Sequence, residues 1–150
     1  MKLSSMVLGV GVLALTAGLG EALAQISPTE DVRRVELVFG RAAAPPLLFM
    51  HTGEGRLAPT AGSYSRADRT TIVVKDGRIV GLSKPDAGAE SFQVVSADLV
   101  KPRYDTTAAK LYLKDAKGHK VVLPDGRFTS REGMTLIVRD GAIVKYGKSR

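Results

Sequence analysis

The chain has 150 residues, with 22 Lys+Arg against 15 Asp+Glu and no Cys. Hydrophobic types make 44% and charged types 25%, a globular mixture that excludes collagen-like, low-complexity and fully disordered chains. The missing Cys excludes disulfide staples, a thiolate zinc site, a Cys nucleophile and a cysteine-linked lipid anchor. A formal charge of +7 favours anionic partners without naming one.

The first residues read as an export address. Lys2 supplies a positive start, Met6 to Leu19 is almost wholly apolar or small, and Ala22-Leu23-Ala24 offers small-x-small before Gln25. This is the pattern of a secretory signal, with residues 1–24 removed by cleavage before Gln25. The apolar run is shorter than the roughly 20 residues that span a bilayer. No Arg-Arg pair lies within residues 1–24, so general secretion is expected. The mature chain, 25–150, is then a periplasmic or secreted protein with no transmembrane segment and no disulfide. It keeps a net charge of +7, because the leader holds one base (Lys2) and one acid (Glu21).

After the cleavage point, residues 25–32 form an N-terminal segment. Ser27-Pro28-Thr29-Glu30 fits a capping box with Pro at N1, so a short helical turn is expected over 28–32. Val35, Leu37 and Phe39 alternate as a strand does, and Ala42-Ala43-Ala44-Pro45-Pro46 ends that element. Further on, strands are expected at Leu47–Met50, Arg56–Ala58 and around Tyr64, and again at Leu111–Leu113, Lys120–Leu123 and around Phe128. Gly53-Glu54-Gly55 and Lys117-Gly118-His119 read as loops between them.

Thr71 to Val80 resembles Thr135 to Val144 at an offset of 64. Between 62–80 and 126–144, seven of 19 positions are identical. Carried back without a gap, the offset sets Leu57 beside Val121 and Leu47 beside Leu111. The expectation is therefore two copies of one β unit, 33–82 and 97–150 including a short basic tail, joined by a connection over 83–96. In each copy an Asp-Gly pair (Asp76-Gly77, Asp140-Gly141) stands between β-branched runs, which is the sequence of a two-residue hairpin turn. That turn would pair Lys75 with Arg78, Val74 with Ile79 and Val73 with Val80. Pro124-Asp125-Gly126 reads as a further turn. The whole is mainly β: two tandem hairpin or meander repeats packed as one pseudo-symmetric sandwich or small barrel.

Catalytic patterns are missing. The chain has no Gly-x-Ser-x-Gly, Ser-x-x-Lys or His-Glu-x-x-His, and no Gly-rich phosphate loop. Met50-His51 could in principle serve copper, but on a strand the two side chains point to opposite faces. No enzyme activity, cofactor or metal is expected.

The charge is uneven. Residues 25–90 hold nine bases and eight acids, whereas residues 91–150 hold twelve bases and six acids. Lys101, Arg103, Lys110, Lys114, Lys117, Lys120, Lys145 and Lys148 are the candidate surface for an anionic envelope polymer or an acidic envelope protein. Nucleic acid is not expected, since no recognition module is visible and export removes the protein from the genome. The alternative is a protein-interaction module that uses exposed strand edges. A small copper carrier or an enzyme built from dispersed residues ranks below both.

Overall fold

The structure, a computed structural model, describes residues 28–41, 44–85, 91–101 and 109–149. The expected signal peptide and Arg103 lie outside these residues. Fourteen strands and no α-helix are present among them. In chain order these are β1 Glu30–Asp31, β2 Arg34–Val38, β3 Leu47–Thr52, β4 Gly55–Leu57, β5 Gly62–Ser65, β6 Thr71–Lys75 and β7 Arg78–Ser83. They continue with β8 Ser91–Gln93, β9 Ser96–Val100, β10 Lys110–Lys114, β11 Lys120–Val122, β12 Gly126–Thr129, β13 Met134–Arg139 and β14 Ala142–Lys148.

The strands form three antiparallel sheets, none closed into a barrel. One has eight strands in the order β1-β14-β13-β12-β5-β6-β7-β8; the others are β2-β3-β4 and β11-β10-β9. One face of each contributes to a shared core. Tyr64, Ile72, Leu82, Phe128, Leu136 and Tyr146 come from the large sheet, Leu48 and Met50 from β3, and Leu111 and Leu113 from β10. Strict alternation on β3 and β10 buries every second residue, as period-two side-chain geometry requires.

Both Asp-Gly turns form as expected. Asp76 and Gly77 have φ of 53° and 73°, and Asp140 and Gly141 have φ of 53° and 78°, the doubly left-handed pair of a type I′ turn. Lys75 pairs Arg78 and Val74 pairs Ile79, but Val73 pairs Gly81 instead of Val80. A bulge at Val80 takes up the extra residue. It puts Ile79 and Leu82, three apart, on the same buried face. The second hairpin does likewise: Ile137 pairs Lys145, and Ile143 and Tyr146 are both buried. The bulged residues do not waste their carbonyls. Val80 accepts the Val94 amide and Val144 accepts the Val32 amide.

The N-terminal segment departs from expectation. Pro28 bridges Lys148, and Glu30 and Asp31 pair with Tyr146 and Lys145 as β1, so there is no helical turn over 28–32. The capping-box pattern is local, and the free edge of β14 offers the same backbone groups a complete ladder. Pro124-Asp125-Gly126 also forms no turn; Pro124 and Asp125 lead directly into β12, which begins at Gly126. Asp125 instead accepts the Gly141 amide on its Oδ1 at 3.0 Å, so it holds the neighbouring hairpin turn.

Candidate functional site

On β10, Leu111 and Leu113 point into the core, so Lys110, Tyr112 and Lys114 point out. Register then decides what joins them. Lys114 stands opposite Lys120 and Tyr112 opposite Val122 on β11. On the other side Tyr112 faces Asp98 and Lys110 faces Val100 on β9. Three lysines, one tyrosine, one aspartate and two exposed valines (Val100 47%, Val122 37%) thus share one outer sheet face. Lys120 Nζ lies 5.8 Å from the centre of the Tyr112 ring, within range of a cation–π contact. Among the described residues none of the three lysines forms an ion pair. Like charges set directly across two strands destabilise the pair. Lys114 opposite Lys120 is therefore a local cost that the fold carries.

The outer face of β2-β3-β4 is built differently. Glu36 Oε1 meets His51 Nε2 at 2.8 Å and Arg56 Nε at 3.2 Å, and Arg34 reaches His51 at 3.1 Å. The hydrogen bond from His51, followed by the Arg56 guanidinium, outweighs partial burial and holds the Glu36 carboxyl below its ordinary value. Arg56 also stacks over Phe49 at 3.7 Å. Here Arg56 is ion-paired with Glu36; on β9-β10-β11 none of the three lysines forms an ion pair among the described residues.

The other candidate residues fall elsewhere. Lys101 follows β9 at its exposed end, close to the pair Val100–Lys110. Lys117 sits in the turn between β10 and β11. Lys145 and Lys148 belong to β14 in the large sheet, and Lys145 Nζ lies 3.7 Å from Asp31 Oδ1. The seven described basic positions are therefore not one patch, and Lys110, Lys114 and Lys120 form the central group. Met50 is fully buried while His51 faces outward onto Glu36, so the two do not converge.

Three features escaped the sequence reading. Tyr112 at the centre of the basic face was legible in the alternation Lys110-Leu111-Tyr112-Leu113-Lys114. The Arg34–Glu36–His51–Arg56 cluster depends on strand register and has no local signal. Asp115 accepts the amides of Lys117 (3.0 Å) and His119 (2.8 Å) and meets His119 Nδ1 at 3.1 Å, closing the β10–β11 turn.

No protein-family model, curated protein or solved structure matches the chain.

Proposed function

We propose that the protein is an exported, non-catalytic binding or scaffolding component of the cell envelope. It is built from two copies of one β unit, and the outer face of β9-β10-β11 is its contact for an anionic envelope polymer. The observation that carries the binding reading is a lysine group without ion pairs among the described residues, with Lys114 directly opposite Lys120 and Tyr112 between them and Lys110. A phosphate- or carboxylate-bearing chain would relieve that repulsion, and Tyr112, Val100 and Val122 add apolar contact. Edge-strand binding is less favoured. The edges β1, β4, β8 and β11 are two or three residues long, and the longer edges β2 and β9 lie against each other.

The two-copy reading draws support from paired details. The bulges fall after Val73 and after Ile137, 64 residues apart. Ser65 pairs with Thr129, which places residues at that same offset across one seam, as a two-fold axis would. The Gly77 carbonyl accepts the Leu48 amide, and the Gly141 carbonyl accepts the Leu111 amide. On this reading Leu48, not Leu47, answers Leu111, because the β10–β11 turn carries one extra residue: Met50 pairs Leu57, while Leu113 pairs Val121. Each leading segment would also cross to the other copy, Val32 onto Val144 and Val94 onto Val80.

Retention on immobilised lipopolysaccharide tests the binding reading. The protein should be held at low ionic strength and released by salt, since exposed charges are screened within about 10 Å at 0.1 M. The variant Lys110→Ala/Lys114→Ala/Lys120→Ala should elute at clearly lower salt. Equal elution of variant and parent, or no retention of either, refutes the reading.

A further inference from the structure

Beside the β10–β11 turn, a cleft of about 540 Å³ opens between that turn and the paired strands β7 and β8. Its floor is apolar, made by Leu82, Phe92 and Val121, and its rim carries Lys84, Lys117 and His119. Asp115 is the single carboxylate among the described lining residues. It is already engaged by two backbone amides and the His119 ring. Burial alone would push the Asp115 carboxyl up, but those hydrogen bonds outweigh it and hold the group below its ordinary value. With Asp115 ionised, His119 Nδ1 carries the hydrogen and the imidazole stands fixed as a wall of the cleft. Among the described residues neither Lys84 nor Lys117 has an ion-pair partner.

The opposite end of the same sheet carries different residues in the same register. There Tyr146 on β14 stands across from Glu30 on β1, just as Leu82 on β7 stands across from Phe92 on β8. The Tyr146 ring is buried and its hydroxyl accepts the Thr60 amide at 2.9 Å. At the cleft end the residue in that register position is Leu82, a shorter side chain that lines the cleft. Phe92 there lays a ring where the other end has a carboxylate.

We propose that this cleft binds a small organic anion, its aromatic or aliphatic body on Leu82, Phe92 and Val121 and its single carboxylate or phosphate at Lys84 and Lys117. The apolar floor supplies non-directional burial and the two ammonium groups supply charge-assisted contacts at the mouth. The site goes beyond the polymer-binding reading and is independent of it, because it uses none of Lys110, Lys114 and Lys120.

The test is a titration of the purified, isotope-labelled protein, followed by amide correlation spectra. The probes are naphthoate, naphthyl phosphate and the neutral isostere naphthamide. At least one anion should give saturable shifts at Leu82, Phe92, Lys117 and Val121, with naphthamide about tenfold weaker or more. Lys84→Ala/Lys117→Ala should weaken the anion about tenfold while the rest of the spectrum keeps its dispersion. Leu82→Tyr should block binding by filling the cleft; if that variant fails to fold, the lysine variant decides alone. Equal binding of naphthamide, shifts centred on Lys110 and Lys120, unchanged affinity in the lysine variant, or no saturable shift with any probe overturns the proposal. Retention on lipopolysaccharide that survives Lys84→Ala/Lys117→Ala would leave the polymer-binding reading standing by itself.

Discussion

Alanine at Gly141 should cost more than alanine at Gly77, although both sit at the second position of an Asp-Gly turn. Both residues have a left-handed φ, 78° and 73°. For a residue with a Cβ that conformation costs about 1–2 kcal/mol. Reduced freedom of the unfolded chain returns about 0.4–1 kcal/mol. A net loss near 1 kcal/mol is therefore common to both sites. The difference lies in what the new methyl group meets. At Gly77 its nearest neighbours are Leu47 Cδ2 at 3.4 Å and Ala58 Cβ at 3.5 Å, both tolerable. At Gly141 it would come 2.5 Å from Val122 Cγ1, closer than real Cβ contacts allow. Val122 must leave its rotamer or shift with its strand, adding about 0.5–1.5 kcal/mol. The expected totals are about 1 kcal/mol for Gly77→Ala and about 2 kcal/mol for Gly141→Ala. At about 3–5 °C per kcal/mol for a chain of this size, the second variant should melt about 4 °C below the first. Thermal melts followed by circular dichroism, with urea titrations as a check on slope, measure this. Equal melting temperatures, or a milder effect at Gly141, would mean that the turn does not pack beneath Val122. The geometry of the basic face would then need revision, because Val122 stands opposite Tyr112 there.

Two further outcomes follow from buried and hydrogen-bonded groups. Tyr64 donates to the Thr60 carbonyl at 2.7 Å and Tyr146 accepts the Thr60 amide at 2.9 Å, so one residue ties both rings. Tyr146→Phe should cost about 1–2 kcal/mol in urea unfolding, since it strands the Thr60 amide. Tyr64→Phe/Tyr146→Phe should differ from the sum of its singles by at least about 0.5 kcal/mol, and strict additivity would contradict the shared network. In acid, hydrogen bonds from Arg66 and the Thr70 amide hold the Asp68 carboxyl well below its ordinary value of 3.8. Amides of the second Asp-Gly turn also hold the Asp125 carboxyl below its ordinary value. A folded value below the unfolded one means stability that is present above about pH 4 and lost as pH falls below it. The melting temperature should accordingly drop between about pH 4 and pH 2, and less steeply in Asp68→Asn. A variant with the parent's slope would show that Asp68 carries none of it.

The hairpins were legible because Asp-Gly between β-branched runs is a local instruction that no distant partner needs to complete. The bulges at Val80 and Val144 were not, because their purpose lies elsewhere in the chain. Each frees a carbonyl for Val94 or Val32 and turns Leu82 or Tyr146 inward. The N-terminal segment misled for the same reason. Ser27-Pro28-Thr29-Glu30 satisfies a helix start locally, but Glu30 pairs with Tyr146, more than 100 residues away. The candidate site was half visible. Alternation of Leu111 and Leu113 already turned Lys110 and Lys114 outward. That Lys120 joins them, whereas Lys145 and Lys148 lie in another sheet, depends on registers that composition does not encode.

The basic face is tested most directly by the salt dependence of binding to a linear polyanion such as polyphosphate. Each phosphate neutralised adds roughly one unit to the slope of log affinity against log salt. Lys110→Ala/Lys114→Ala/Lys120→Ala should lower that slope by about 2–3. Arg33→Ala/Arg34→Ala/Lys75→Ala removes as many charges from other exposed positions and should change the slope by less than about one. Equal losses in the two variants would contradict a dedicated face and leave only the general positive charge of the chain.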